Sequence, residues 1–188
     1  MTDHIRLHVT ATELPPASEL HPKLQEFATR DADGSLPDDG NELLRFWNAS
    51  PDHAAEMMRH HFDLWLTSSM GPRLTELVRL AVATNTRCPI CLAIRRPGAR
   101  KAGVDEELIA AIEDRESDLL TTRERLAVDY AAALAGDHEQ ITADTYATLR
   151  EHFDDREIAE LSMMAMSFLG MGRVLETLTR GSACPVQP

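Results

Sequence analysis

Two of the chain's three cysteines, Cys88 and Cys91, lie three positions apart between two predicted helices. Asn85-Thr86 offers a turn, and Pro89 fits the first turn of the next helix, where its missing N–H costs no hydrogen bond. The start of a helix presents unpaired backbone N–H groups and the positive end of the helix dipole, which stabilise a thiolate. The spacing and position of the pair therefore predict a redox-active dithiol.

Positive side chains flank the two cysteines. Arg87 precedes Cys88, and Arg95 follows Cys91 by one helical turn and would lie on the same face. A cation this close to a thiol favours the charged form. We therefore expect Arg95 to stabilise a thiolate at Cys91.

Other uses of a Cys-x-x-Cys pair stay open at this point. A structural zinc site needs about four sulfur or nitrogen ligands, and no second such pair or His-x-x-x-His follows. The adjacent His60 and His61 would point about 100° apart on a helix and would chelate poorly, so we expect one exposed and one half-buried histidine. Two buried, inert cysteines are a further possibility. A structural disulfide is disfavoured where thiols are kept reduced. We expect no metal and no cofactor.

The pair also belongs to a longer motif. Glu76, Cys88, Cys91 and Arg95 follow the arrangement Glu-x11-Cys-x2-Cys-x3-His/Arg. This arrangement resembles the AhpD-like (alkylhydroperoxidase D-like) group within the carboxymuconolactone decarboxylase superfamily. The similarity covers roughly residues 40–180, and it includes segments at 100–112, 120–130 and 153–161. The motif is fairly specific for the superfamily, whereas membership says less about the reaction.

The resemblance implies a fold and a mechanism. The fold would be all-α, with protomers that assemble into trimers or hexamers. Cys91 would be the thiolate that attacks a peroxide, Cys88 the thiol that resolves the sulfenic acid into a disulfide, and Glu76 part of the proton relay. An external dithiol carrier would then reduce the disulfide. The implied function is a thiol-dependent peroxidase that reduces alkyl hydroperoxides.

The sequence departs from the family pattern at two places. Arg95 stands where many relatives carry a relay histidine, and Ile90 replaces a polar residue between the cysteines. Arginine stays protonated at ordinary pH, so it can hold a thiolate or an anionic substrate but cannot shuttle a proton.

Two other classes of function compete with the peroxidase. One is a cofactor-independent decarboxylase, lyase or isomerase acting on a small carboxylate. Arg79, Arg95 or Arg173 would bind the carboxylate there, and Glu76 or a histidine would act as acid and base. That branch of the superfamily generally lacks the paired cysteines. The other class is a non-enzymatic sensor that holds the dithiol.

Composition restricts the partners. Hydrophobic residues make up 43% of the 188 residues and aromatic residues only 5%, which favours an aliphatic, helical core. A net charge of −12 argues against nucleic acid or an anionic membrane as a partner. The sequence shows no apolar run near the ~18 residues of a membrane span and no secretory signal at its start. We therefore expect a cytoplasmic protein.

The elements that must position the dithiol are predicted to be helices throughout. We expect an irregular N-terminal arm over 1–40 with one short helix near 20–29, a helical domain over 41–180 and a flexible tail over 181–188. About seven or eight helices are predicted. Six of them have predicted bounds, at 42–47, 51–68, 105–112, 124–135, 143–152 and 156–180. Another begins at Gly71-Pro72, and the helix of the cysteines bends or ends at Pro97-Gly98. Gly103 caps the end of a helix before the one over 105–112.

A faint internal repeat accompanies this pattern. Residues 73–82 resemble residues 157–166, and in each segment a glutamate, Glu76 or Glu160, opens an apolar helix. In this alignment Gly172 falls at the position of Cys88. The pattern suggests a degenerate duplication whose second copy keeps the helices and lacks the chemistry.

We predict that Cys88 and Cys91, and not Cys184, carry the redox chemistry, since Cys184 stands beside Pro185 in the predicted tail. Treatment with peroxide should give a Cys88–Cys91 disulfide by peptide mass mapping, and Cys184→Ser should keep the full activity. An activity that disappears in Cys184→Ser would contradict this assignment.

Overall fold

The computed structural model describes residues 14–38, 41–93, 97–112 and 118–179, and these contain helices and no strand. The predicted all-α fold is confirmed. There are more helices than the seven or eight predicted, because several have only four to six residues. The described residues form α1 Pro22–Gln25, α2 Glu42–Trp47, α3 Pro51–Thr67, α4 Gly71–Thr86, α5 Pro89–Ala93, α6 Pro97–Lys101, α7 Glu106–Ala110, α8 Thr122–Ala135, α9 Ala143–Arg150 and α10 Asp155–Thr179, with 3₁₀-helices at Ala17–Glu19 and His138–Gln140.

Three of the sequence predictions fall on residues that lie outside the described part of the chain. These are the position of Arg95, the tail over 181–188 with Cys184, and the first thirteen residues of the arm. The chain divides into two compact units, the first of residues 1–60 and 174–188 and the second of residues 61–173. The predicted domain boundaries near 40 and 180 stay predictions.

In the first unit, the side chain of Asn41 holds the described part of the arm. Its amide oxygen accepts from the Thr29 N–H at 2.8 Å, and its amide nitrogen donates to the carbonyls of Thr29 at 2.9 Å and Pro37 at 2.8 Å. Arg45 Nε donates to the Pro15 carbonyl at 2.7 Å. Asn41 precedes α2, as expected, but its side chain makes no cap hydrogen bond, because the buried amide already serves the arm.

Helix α4 is the central element of the second unit. Its residues from Leu74 to Ala83 are buried without interruption, and the helix packs mainly against α8 and more lightly against α5 and α6. A helix that is buried on all sides is normally apolar all round. Helix α4 is exceptional in carrying Glu76 and Arg79 within this stretch.

The end of α4 differs from the prediction. Asn85-Thr86 was expected to form the turn, but the helix continues through Thr86 and ends at Arg87, whose φ of 52° is left-handed. The N–H of Arg87 donates to the Thr84 carbonyl at 3.3 Å, and the N–H of Cys88 donates to the Ala83 carbonyl at 3.2 Å. This reversal uses the last carbonyls of α4 and turns the chain directly into the cysteine pair.

Caps fix the ends of the surrounding helices. Gly103, predicted to follow a helix end, has a φ of +81°, which is costly for any residue with a Cβ. Helix α8 is capped by Thr121, in a reciprocal capping box with Glu124. Arg73 Nε donates to the same Glu124 carboxylate at 2.5 Å and thereby ties the start of α4 to the start of α8.

Glu160 joins α10 to the segment after α3. Its carboxylate accepts from Ser69 Oγ at 2.8 Å, the Ser69 N–H at 2.9 Å, Ser68 Oγ at 3.0 Å and Arg156 Nε at 2.8 Å. Burial by itself would raise the pKa of Glu160, but the hydrogen bonds from Ser69, Arg156 and Ser68 outweigh it and lower the pKa to about 2. Glu160 therefore acts as an ionised structural link.

Helix α10 is also unusually apolar. Among the described residues, its segment Asp155–Thr177 is the one stretch long and apolar enough to cross a membrane by length and composition, a test that core helices of soluble proteins also pass. Leu161, Met164 and Ala165 of this helix are fully buried in the core of the second unit. These residues of the helix are thus a core element of the second unit.

We predict that Glu160→Gln lowers the free energy of unfolding at pH 7 by about 1.5–3 kcal/mol, because it removes charge-assisted hydrogen bonds. The folded pKa of about 2 lies below the ordinary 4.5, so this stabilisation is present above pH 4.5 and is lost as the pH falls toward 2. Urea unfolding of both proteins at pH 7 and pH 3 measures it. Glu151→Gln, at an exposed position, is the control. An equal difference at both pH values would contradict the prediction.

Candidate functional site

A buried ion pair lies within one turn of α4. Arg79 Nη2 donates to Glu76 Oε1 at 2.6 Å, and Arg79 Nε donates to Glu76 Oε2 at 2.9 Å. The two side chains are only 4% and 1% exposed. Three positions along a helix bring two side chains to the same face, and the planar guanidinium matches both carboxylate oxygens. The pair is therefore a bidentate bridge inside the core.

The same guanidinium reaches the cysteine segment. Arg79 Nη1 donates to the backbone carbonyl of Cys91, and the guanidinium carbon lies 5.9 Å from the centre of the Trp65 ring. Arg79 thus contacts a carboxylate, a backbone carbonyl and an aromatic face at once. Through it, α4 holds the first turn of α5 in place.

The two thiols face each other at the start of α5. Cys88 and Cys91 are free cysteines with their sulfur atoms 2.7 Å apart, and the Cys91 N–H donates to Cys88 Sγ at 3.3 Å. Cys88 is buried, whereas Cys91 is partly exposed. A disulfide needs its sulfurs near 2.05 Å, so this approach suits reversible disulfide formation with little movement. The partial exposure makes Cys91 the sulfur that a solute can reach.

The ionisation of Cys91 differs from the expectation based on its position in the helix. The hydrogen bond between the two sulfurs raises the pKa of the Cys91 thiol, and burial raises it further, while the Arg79 charge acts in the opposite direction. The hydrogen bond between the sulfurs therefore changes the pKa of Cys91 more than the start of the helix does. While both thiols are reduced, Cys91 thus holds its proton more firmly than a free cysteine does.

An aromatic cluster lies beside the ion pair. The ring of His61 packs edge-on against Trp65 and Phe168 with ring centres 5.5 and 5.2 Å apart, and His61 Nδ1 lies 2.9 Å from Ser167 Oγ. The expectation of a half-buried histidine was wrong for His61, which is only 8% exposed because α10 covers it. Sequence reasoning missed this cluster, because its members come from α3 and α10, which are far apart along the chain.

Glycine at position 172 lets α10 approach the buried cysteine. A Cβ at Gly172 would lie 3.9 Å from Cys88 Cβ and 3.5 Å from Thr86 Oγ1. The internal alignment placed Gly172 at the position equivalent to Cys88, and in the fold these two residues meet. A side chain larger than alanine would press on Cys88.

The structure brings together Glu76, Cys88 and Cys91, with Arg79 between the acid and the cysteines. Arg95 lies outside the described residues. Arg173 is exposed, and its Nη2 donates to the Ala135 carbonyl at 3.2 Å. Within the described ranges, no three histidine, cysteine or acidic side chains gather as ligands of a metal.

Sequence comparisons relate part of this chain to known proteins. Residues 51–133 match the model of the carboxymuconolactone decarboxylase family. The uncharacterized protein Rv2313c of Mycobacterium tuberculosis is 31% identical over 136 residues, which are 68% of this chain and 48% of that protein. The chain thus spans about half the length of this curated relative.

Solved structures share the fold over nearly the whole chain. An uncharacterized peroxidase-related protein from Silicibacter sp. TM1040 superimposes with a TM-score of 0.73 at 22% identity and covers 95% of this chain and 94% of its own. The alkylhydroperoxidase AhpD core of an uncharacterized peroxidase-related protein from Ralstonia eutropha JMP134 gives a TM-score of 0.71 at 16% identity, covering 92% of each chain. At these identities the likeness shows the fold alone.

We predict that Glu76→Gln or Arg79→Gln alone destabilises the protein by about 3–5 kcal/mol, because each leaves a buried charge without its partner. The double variant Glu76→Gln/Arg79→Gln should cost less than either single change. Urea denaturation followed by circular dichroism measures the three differences. Costs that simply add would contradict the buried pair.

Proposed function

Since residues 51–133 match the model of the carboxymuconolactone decarboxylase family, we propose that this chain is an AhpD-like thiol peroxidase acting through Cys88 and Cys91. The observation that carries the proposal is the sulfur–sulfur distance of 2.7 Å between two free cysteines of unequal exposure. A more accessible cysteine that attacks and a buried cysteine that resolves are the two parts that a dithiol peroxidase needs.

The reaction balances in three steps. The Cys91 thiolate attacks the outer oxygen of a hydroperoxide, the O–O bond breaks, and the leaving alkoxide takes a proton to become an alcohol. The Cys91 sulfenic acid then condenses with the Cys88 thiol, which forms the S–S bond and releases water. An external dithiol donates two electrons and two protons, returns both cysteines to thiols and leaves as a disulfide.

The first step requires the thiolate to form on the accessible sulfur. Because the pKa of Cys91 is raised by its hydrogen bond to Cys88 and by burial, the Cys91 thiol must lose its proton to a base before attack. We assign this relay to Glu76, whose carboxylate is linked to the cysteine turn through Arg79. Each carboxylate oxygen keeps a lone pair beyond the bond to Arg79, so the bidentate bridge leaves it a possible acceptor.

The decarboxylase or lyase alternative has less support from these contacts. It needs an arginine that is free to bind a substrate carboxylate. Arg79 already serves Glu76 and the Cys91 carbonyl, and Arg173 donates to the carbonyl of Ala135. The third candidate, Arg95, lies outside the described residues. The paired cysteines would also have no part in that chemistry.

Self-association and location complete the proposal. In the second unit, the large apolar side chains of Leu66 and Met166 are 76% and 57% exposed. Exposed apolar residues of this size support contact with further copies of the chain, and we propose a trimer or hexamer. We place the protein in the cytoplasm, where a dithiol carrier can keep the pair reduced.

Steady-state reduction of cumene hydroperoxide with dithiothreitol tests the activity. We expect Cys91→Ser to abolish turnover. Cys88→Ser should form a Cys91 sulfenic acid, trapped by dimedone, but should lose sustained turnover by 100-fold or more. Cys184→Ser is the matched control.

Two outcomes would contradict the proposal. Undiminished turnover in Cys91→Ser would remove the attacking role. A reversible Cys88–Cys91 disulfide without sustained turnover, with dithiothreitol or with a lipoyl dithiol, would favour the redox sensor.

A further inference from the structure

We infer that Arg79 is a positioning residue that sets the ionisation of Cys91, by carrying a fixed positive charge to the cysteine turn while Glu76 holds it in place. The inference deepens the proposed function, since it rests on Cys91 as the attacking sulfur. Arg79 is three positions after Glu76 and outside the cysteine motif. Only the fold brings it to the dithiol.

First, the Arg79 guanidinium binds two partners with different nitrogens. Nε and Nη2 bind the two oxygens of Glu76, and Nη1 binds the Cys91 carbonyl. The carboxylate and the cysteine turn therefore contact different nitrogens of one rigid, planar group. Moving Arg79 would break contacts to both, so the group fixes the distance between the charge and the turn.

The second step concerns the sign of the field at Cys91. The cation contacts the residue that bears the thiol, whereas the Glu76 carboxylate contacts the cation. A buried charge is weakly screened, so the nearer cation dominates. The Arg79 charge lowers the pKa of Cys91 against the opposing effects of Cys88 and burial. Arg79 thus stabilises the Cys91 thiolate from its position at the Cys91 carbonyl.

The third step is an account of the other charged groups. Cys88 faces Cys91 from the same turn, and Glu76 and Arg79 come from α4. From α3, the buried His61 contacts Trp65 and Ser167. From α10, Gly172 faces Cys88, and Arg173 binds the Ala135 carbonyl. Arg95 lies outside the described residues and is the same in every variant below, so differences between variants exclude it.

A second arginine in this protein supplies a matched control. Arg123 Nη2 binds Glu157 Oε1 at 2.6 Å, its Nη1 donates to the His152 carbonyl, and its guanidinium carbon lies 4.1 Å from the centre of the Phe153 ring. This arrangement repeats a carboxylate, a carbonyl and an aromatic ring around one guanidinium. It contains no cysteine.

The experiment measures the rate of Cys91 alkylation by iodoacetamide against pH, in a Cys88→Ser/Cys184→Ser background. The midpoint of this pH profile should rise by about one pH unit in Glu76→Gln/Arg79→Gln, which slows alkylation at pH 7 about tenfold. Glu76→Gln alone should lower the midpoint, because the cation then acts unopposed. Arg79→Lys, which keeps the charge, should shift the midpoint by less than the double variant does.

The midpoint should fall in Glu76→Gln and rise in Glu76→Gln/Arg79→Gln. Opposite shifts of this kind distinguish an electrostatic effect on Cys91 from a loss of packing. The control Arg123→Gln/Glu157→Gln removes a pair with the same three kinds of contact at a more exposed position, and it should leave the midpoint unchanged. An unchanged midpoint in Glu76→Gln/Arg79→Gln, or an equal shift in the control, would overturn the inference. The double variant carries no buried net charge, so it can be read even if the single variants unfold.

The test is independent of peroxidase activity. Alkylation reports the thiolate whether or not a hydroperoxide is reduced. Midpoint shifts without peroxidase turnover would uphold the role of Arg79 and reject the proposed function. Turnover with unshifted midpoints would do the reverse.

Discussion

The buried bridge between Glu76 and Arg79 is the constraint on which the site depends. An ion pair removed from water costs desolvation energy that apolar side chains of the same size would not, so it is a poor device for stability alone. Here its arginine has a third contact, the carbonyl of Cys91. The pair thus makes the rigid central helix a fixed support for a short helix of five residues, which carries Cys91 and directly follows Cys88.

The surrounding core makes that support rigid. Helix α4 is buried from Leu74 to Ala83 and packs along α8, whose own start is held by the contact of Arg73 with Glu124. On the other side, α10 approaches Cys88 at Gly172 and is fixed by Glu160. Because the site is built from packed helices rather than from loops, the distance between its charges and its sulfurs is set by the core.

The two thiols differ through their surroundings rather than through their sequence. Cys88 is enclosed, whereas Cys91 is partly open, and the hydrogen bond between them makes their ionisation a property of the pair. The raised pKa of Cys91 reverses the expectation from the helix start. The reason is that a sulfur at 2.7 Å acts more strongly than the few free N–H groups of a single short turn.

The sequence by itself determined the helical class, most helix ends and the identity of the dithiol, because these depend on local periodicity, capping residues and a three-residue spacing. Its errors were also local. The turn was predicted at Asn85-Thr86 and lies at Arg87. The sequence does not indicate it, because a left-handed backbone is normally predicted only at glycine. Only the tertiary structure decided that Arg79 belongs to the site, that His61 is buried, and that Gly172 lies against Cys88. Those relations join residues on different helices, and side-chain contact between distant segments is fixed by packing, which periodicity along one chain does not encode.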